Sequence, residues 1–335
     1  MKVLLICNYK PGVGGISGQV EILRRHLRDE GHTAAIFSTK GSSLWRLGLL
    51  RRLKNATHEY DALHIHCCSG WGFLPAVVGV TVGRWLKKRV VLTYHGGGGE
   101  HFFDRHPRLV RRFLLRTDAN IVLSGFLAHT FDRHNIPYVT IPNILDLDDS
   151  RFRLRDTLHP NFICTRAHEP LYNIPCILKA FRQVQTEVPE ATLTLVGNGN
   201  EHQRLIQLSH DLGLHNVTFT GRVDNDEIYT YLDRADILLS APTVDNMPVS
   251  LLEAMNAGLL IISSNVGGVP FMVKDNTTGL LFESDNDKSL AQKMLWALHN
   301  QPLAMNIIMQ AHTDVAQYRW ENVKDKLYDA YGIPS

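Results

Sequence analysis

The sequence predicts an α/β protein of two domains, each built on a parallel sheet, and three observations carry that prediction. The chain has 335 residues, about twice the ~150 of an ordinary domain. Short apolar runs alternate with amphipathic stretches, which is the rhythm of βαβ units. That rhythm breaks at a charged stretch near 144–160, ILDLDDSRFRLRDTLHP, and then starts again.

In the first half the strand-like runs are VLLIC (3–7), TAAIF (33–37), DALHIHC (61–67), RVVLTYH (89–95) and ANIVLS (119–124). The helix after the first run has Ser17 as its expected N-cap, Val20, Leu23 and Leu27 at helical spacing, and Gly31 as its stop. In the second half the runs are FICT (162–165), ATLTLVG (191–197), NVTFTG (216–221), DILLSAP (236–242) and LLIISS (259–264). A first domain over 1–143 and a second over 144–317 follow. A last helix within 318–335 is expected to pack back on the first domain.

Composition excludes several classes. With 44% hydrophobic and 20% charged residues, 25 Gly and 14 Pro, the chain is neither collagen-like nor disordered. Its longest apolar runs fall short of the ~18 residues a membrane-spanning helix needs. The opening MKVLLICNYKPG reads as a strand and not as a secretory signal, so a cytoplasmic protein is expected. The five cysteines, at 7, 67, 68, 164 and 176, show no CxxC spacing and are expected to be buried free thiols, with no structural metal. The net charge of +2 conceals an asymmetry. Residues 1–143 hold 20 Lys and Arg against 9 Asp and Glu, a net of +11, and the remainder holds 15 against 24, a net of −9. The basic half suits an anionic partner. No RNA-binding module is visible, so nucleic acid is not expected.

Open α/β sheets bind ligands beyond the carboxyl ends of their strands, so chemistry is expected in the turns that follow them. The first turn, Gly12-Val13-Gly14-Gly15-Ile16-Ser17-Gly18, could admit an anion at a helix N-terminus or be only a tight turn, and it lacks both the dinucleotide fingerprint and a P-loop Lys. The turn after the fourth run carries His95 before four glycines. An imidazole there could bond a sugar hydroxyl or phosphate, or act as acid or base near neutral pH, because its unperturbed pKa is ~6.5. His64 and His66, alternating within a run, are expected to be satisfied core histidines.

The most informative turn is APTVDNMPVSLLEAMNAG (241–258). Pro248 suits the first position of a short helix and Gly258 its stop. The amides of Val249 and Ser250 are then free for a diphosphate, and Asp245 and Glu253 bring two carboxylates from different elements towards sugar and ribose hydroxyls. A fourth turn, SSNVGGVP (263–270), repeats the glycine pattern of the first, and the two are expected to face each other across an interdomain cleft.

The segment PVSLLEAMNAGLLIISSNVGGVPFMVKDNTTGLLF, together with GRVDNDEIYTYLDRADILLSAP, resembles glycosyltransferase family 4, the retaining nucleotide-sugar enzymes of GT-B fold. The resemblance implies two Rossmann-like α/β domains facing each other across a cleft, with the donor held by the second. It implies catalytic roles for Asp245 and Arg166, and His95, singled out by its turn, is the third residue expected to be catalytic. The resemblance further implies donor contacts from Gly197, Gly221, Glu227 and Glu253, and the turns themselves add Gly14, Gly15, Asn246, Met247, Pro248 and Val249 as expected donor contacts. The family's Glu-x7-Glu pair falls on Asp245 and Glu253. The family's diphosphate-neutralising Arg and Lys are represented in TRAHEPLYN (165–173) by Arg166 alone. The implied reaction moves a sugar from a UDP- or GDP-linked donor to a lipid-linked or saccharide acceptor in surface polysaccharide assembly, without a metal or other cofactor. The rivals are an epimerase of the same fold and a non-transferring sugar-nucleotide binder. Two basic and apolar segments, 43–54 and 101–113, suit an anionic membrane surface, and the alternative for them is ordinary packing.

Overall fold

A computed structural model describes residues 1–11, 15–41, 48–146, 148, 151–224 and 227–333. The chain divides into two compact units, Met1–Asp146 with Tyr318–Ser335, and Leu147–Gln317.

In the first unit the strands are β1 (Lys2–Cys7), β2 (Thr33–Ser38), β3 (Ala62–Cys67), β4 (Arg89–Tyr94), β5 (Ala119–Val122) and β6 (Val139–Thr140). Between them lie α1 (Ile16–Asp29), α2 (Leu49–Thr57), α3 (Leu74–Trp85), α4 (Gly99–Arg105), α5 (Pro107–Leu114) and α6 (Gly125–Arg133). The strands form one parallel sheet in the order β2-β1-β3-β4-β5-β6. All of β3 is buried, as a central parallel strand covered on both faces must be.

The second unit repeats the plan with β7 (Asn161–Cys164), β8 (Thr192–Val196), β9 (Val217–Gly221), β10 (Ile237–Ser240), β11 (Leu260–Ser264) and β12 (Leu280–Phe282). Its helices are α7 (Ile174–Glu187), α8 (His202–Asp211), α9 (Ile228–Arg234), α10 (Val249–Asn256), α11 (Asp287–His299) and α12 (Gln301–Val315). The sheet order is β12-β11-β10-β7-β8-β9, again parallel throughout. Strand order therefore reverses between β7 and β10, and the crevice beyond their carboxyl ends is where such sheets take ligands. The last helix, α13 (Trp320–Tyr331), belongs to the first unit. Trp320, Val323, Leu327 and Tyr331 pack there with residues of β1 and α1.

Two helix starts differ from the sequence reading by a residue or two. α1 begins at Ile16 with Gly15 as N-cap, so Ser17 lies inside the helix and its hydroxyl accepts from the Lys10 N–H at 3.1 Å. Pro248 is the N-cap of α10 and not its first helical residue. Both stops are where glycine was expected. Gly31 and Gly258 take φ of +81° and +73°, a left-handed conformation that only glycine adopts without strain.

The charged stretch at the start of the second unit holds a buried network. Arg155 and Asp236 are 3% and 1% exposed, with Arg155 Nε 2.8 Å from Asp236 Oδ1. The same guanidinium donates to the carbonyls of Ala235 (2.6 Å), Arg153 and Ala257 (3.0 Å each) and Gly258. Arg155 thus ties the start of β10 to the end of α10, the two elements that flank the crevice. All five cysteines are free, and Cys7, Cys67, Cys164 and Cys176 are buried. Among the described residues no helix is long and apolar enough to cross a membrane.

Candidate active site

The site in the second unit grows from the ends of β7 and β10. Arg166 leaves β7 two residues after Cys164, and Asp245 lies in the loop between β10 and α10. The Arg166 guanidinium meets the Asp245 carboxylate through Nη2, donates from Nη1 to the Ser250 hydroxyl at 3.1 Å, and lies 4.1 Å from the centre of the Tyr172 ring. The Arg166 and Asp245 side chains are 11% and 18% exposed. An arginine so held is a preorganised, permanently charged donor beside the N-terminus of α10, where the helix dipole adds positive potential.

Backbone packing holds these groups in place. The Gly197 α-carbon, at φ +150°, sits so close to Arg166 that a Cβ would lie 2.3 Å from its carbonyl oxygen. A Cβ on Gly199 would lie 2.4 Å from the His168 oxygen, and one on Gly267 would lie 2.0 Å from the Asp245 oxygen. Gly268 N–H donates to that same Asp245 oxygen at 2.9 Å, and Thr243 N–H reaches Leu171 O at 2.9 Å. The Ser264 hydroxyl donates to Pro242 O at 2.7 Å. Within the second unit, then, the double-glycine turn that repeats the first-turn pattern acts as a buttress for the Asp245 loop. The Gly197 N–H donates to Gly221 O at 3.0 Å, and Gly221 takes φ +70° with open space where a Cβ would stand.

Glu253 lies one turn into α10 and is partly buried. Burial pushes its carboxyl up to about 7, and the Arg166 charge opposes that shift. Asn246, 2% exposed, donates its N–H to Asp245 Oδ1 at 2.8 Å, and Met247 is buried beside it. Glu227 is the exposed N-cap of α9, and its N–H donates to Asp224 O. Tyr172 and the Ser250 hydroxyl were missed by the sequence reading, although an aromatic six residues after Arg166 was a legible signal. Among the described residues no cluster of three or more His, Cys, Asp or Glu is placed to hold a metal ion.

His95 and Gly15 belong to the first unit, and Gly14 lies outside the described residues. Gly15 takes φ +66° at the start of α1. His95 follows β4, its N–H donates to Cys67 O at 2.8 Å, and its Nε2 lies 3.0 Å from His66 Nδ1. Burial pulls the His95 pKa down to about 4, which favours the hydrogen-bonding alternative over acid–base work near neutrality. His95 is a neutral ring at physiological pH. Of the glycines after it, Gly96 and Gly99 are packing glycines, since a Cβ would press on Ser69 and Tyr94 at 3.1–3.2 Å or on Leu127 and Tyr94 at 3.0 Å. His64 is a satisfied core histidine, bonded to Tyr331 and Thr93.

Two α/β units, each on one parallel six-stranded sheet, the second with an arginine held against Asp245 at the β7–β10 reversal, have the architecture of the GT-B fold. Residues 150–314 match the family model of glycosyl transferases group 1, and residues 36–149 match that of glycosyltransferase family 4. The chain is 31% identical to the N-acetyl-alpha-D-glucosaminyl L-malate synthase of Bacillus anthracis over 290 residues, covering 81% of this chain and 74% of that protein. It is 29% identical over 188 residues to a GDP-mannose-dependent phosphatidylinositol monomannoside mannosyltransferase of Mycobacterium tuberculosis, covering 53% of this chain and 48%, about half, of the relative. The solved structure of Anabaena HepE in complex with UDP and glucose aligns with a TM-score of 0.79 at 18% identity, over 99% of both chains. That of a Thermosynechococcus elongatus sucrose-phosphate synthase gives 0.82 at 18% identity, over 99% of this chain and 98% of the other. The chain belongs to the group 1 glycosyltransferases, family 4.

Proposed function

We propose that this protein is a retaining glycosyltransferase that moves a sugar from a nucleotide-diphosphate donor to a lipid-linked or saccharide acceptor in cell-surface polysaccharide or glycoconjugate assembly. The observation that carries the reading is the Arg166 guanidinium held against Asp245 and Ser250 at the N-terminus of α10, with Glu253 one turn on. In this reading Arg166 and the α10 amides, with no metal ion, oppose the charge that develops on the leaving diphosphate. Glu253 accepts the ribose hydroxyls, and Asp245 accepts from the donor sugar. Asn246, Met247, Pro248 and Val249 shape the donor pocket, and the neutral His95 bonds a polar group of a substrate. The family's front-face route needs no enzymatic nucleophile, and none is assigned. The UDP and glucose bound to HepE and the GDP-mannose dependence of the mannosyltransferase support a UDP- or GDP-linked donor.

The test is a thermal-shift panel of nucleotide diphosphates and their sugars, followed by turnover with and without acceptor. A donor at 100 times its Kd stabilises by ~2.7 kcal/mol. A transferase consumes donor only with acceptor, an epimerase interconverts the sugar without one, and a binder does neither.

A peripheral membrane role for the basic unit rests on a surface that differs from the two segments read in sequence. Residues 42–47, Trp45 among them, lie outside the described residues, and Phe102, Phe103, Val110, Phe113 and Leu114 are core, so the packing alternative holds for the apolar side of that second segment. Arg111 donates to the His134 carbonyl. Among the described residues of this unit the exposed large apolar side chains are instead Trp71 in the 3-10 turn before α3, Trp85 at the end of α3, Leu50 on α2, and Leu109 and Leu115 on and after α5. Lys54 lies 4.1 Å over the Trp85 ring, and Arg51, Arg52, Arg108, Arg112 and Arg116 are exposed on the same helices or just beyond. Exposed tryptophans among cations suit an anionic headgroup layer, at ~1 kcal/mol per cation at the surface. Sedimentation with anionic vesicles is expected to fall when Trp71 and Trp85 become Ala and as salt rises. Equal binding to neutral vesicles refutes the electrostatic part.

A further inference from the structure

We propose that Tyr172 is a positioning residue, the face of its ring holding the Arg166 guanidinium in the plane from which its N–H groups meet the donor diphosphate. The inference rests on the reading of Arg166 as the counter-charge to that diphosphate, and says how one cation is kept aimed where the family pattern has two. The contacts on Arg166 are of two kinds. Nη2 meets the Asp245 carboxylate and Nη1 donates to the Ser250 hydroxyl at 3.1 Å, so both use the N–H edge of the guanidinium. A phosphate oxygen needs that same edge and so competes with them. The guanidinium carbon lies 4.1 Å from the centre of the Tyr172 ring, inside the ~6 Å reach of a cation–π contact, and this contact uses the face. Of these contacts it is the one that donor binding leaves in place.

The ring is itself fixed by the backbone on either side. Tyr172 closes the 3-10 turn Pro170–Tyr172, and its N–H donates to Glu169 O at 3.0 Å. Asn173 follows at φ +44°, in the left-handed region that Asn tolerates better than most side chains. Its N–H donates to Pro170 O at 3.1 Å, and its side-chain amide donates to Asp285 Oδ1 at 2.9 Å. From the other direction Thr243 N–H donates to Leu171 O at 2.9 Å, which ties the turn to the loop that carries Asp245. The ring face, the guanidinium and the carboxylate thus belong to one backbone frame. Arg166 trades Asp245 for a phosphate oxygen by sliding in its own plane, and the ring resists a tilt out of it. The edge also has room for a further acceptor, because the buried Arg166 Nε–H has no hydrogen-bond partner among the described residues.

Two measurements test the assignment. The first is ¹⁵N relaxation of the Arg166 Nε–H in the protein without nucleotide. Asp245→Asn removes the ion pair, and the group is expected to stay ordered in that variant and in Asp245→Asn/Tyr172→Phe, and to lose order in Asp245→Asn/Tyr172→Leu. Equal order in the Phe and Leu combinations overturns the proposal. The second is transfer kinetics. Tyr172→Phe keeps the ring face and is expected to lose no more than twofold in kcat/KM, whereas Tyr172→Leu, apolar but without a π face, is expected to lose about tenfold. In an Arg166→Ala background the loss from Tyr172→Leu is expected to shrink to twofold or less, because the ring then has nothing to aim. A loss that persists undiminished there shows a merely structural ring and overturns the proposal, as do equal losses in Tyr172→Phe and Tyr172→Leu. If Arg166→Ala itself transfers as well as wild type while the relaxation result is as expected, the reading of Arg166 as counter-charge falls and the positioning of its side chain stands.

Discussion

Glu253 makes the sharpest test of the donor site, because burial and function pull its carboxyl in opposite directions. In the folded protein its pKa rises from the ordinary 4.5 to about 7. The folded state then holds the proton more tightly than the unfolded state does. Any stability the group contributes is present below pH 4.5 and is lost as pH rises through 7. The span is about two and a half units at ~1.4 kcal/mol each, so above pH 7 the ionised form costs the empty protein ~3 kcal/mol. In the proposed function donor binding has the opposite demand, since there the ribose hydroxyls need the Glu253 carboxylate as acceptor. If the protonated form does not bind, nucleotide-sugar affinity falls about tenfold between pH 8 and pH 6, or ~1.4 kcal/mol. The fall is capped by the ~1.5–3 kcal/mol that a charge-assisted bond is worth.

Glu253→Gln separates these effects. The variant is expected to melt higher than wild type at pH 8, by ~6 °C for a unit of this size, and no higher at pH 4. It is also expected to bind nucleotide-sugar more weakly at pH 8 and to lose the pH dependence between 6 and 8. Titration calorimetry with a UDP- or GDP-sugar, whose diphosphate does not titrate in this range, reads the affinity. Scanning calorimetry of the empty protein reads the stability. A Gln variant that is no more stable than wild type at pH 8, with wild-type affinity that is flat between pH 6 and 8, refutes the reasoning.

Arg166→Ala is expected to lower turnover ~10²-fold with the fold intact, the scale of one preorganised electrostatic contact, and to move the Glu253 midpoint upward because its opposing charge is gone. Steady-state kinetics within twofold of wild type would show that another cation does this work. Asp236→Asn leaves Arg155 buried with its charge uncompensated and should cost the second unit ~3 kcal/mol or more in denaturant unfolding, whereas an apolar pair at 155 and 236 should cost less. Gly267→Ala is expected to displace the Asp245 loop, since a Cβ there would lie 2.0 Å from the Asp245 oxygen, and to weaken donor binding while Gly18→Ala, with no atom within 4 Å, leaves it unchanged.

What the sequence determined by itself is whatever local patterning encodes. Buried parallel strands must be apolar along their whole length, so the runs at 3–7, 61–67, 237–240 and 260–264 announced themselves, as did the glycine stops at 31 and 258. β6 and β12, two and three residues long, offered too little pattern to read. The motif-bearing residues Arg166, Asp245 and Glu253 were legible as types at spacings. Tertiary structure decided what those residues can do. Asp245 and Arg166 are 79 positions apart, and only the β7–β10 reversal brings them into contact. The elevated carboxyl of Glu253 and the depressed imidazole of His95 come from burial, which composition does not reveal. The same holds for the glycines. Gly197, Gly199 and Gly267 each stand where another backbone carbonyl passes too close for a Cβ, which glycine spacing in sequence does not reveal. Patterning follows from short-range geometry along the chain, whereas desolvation and close approach depend on which distant atoms the fold brings alongside.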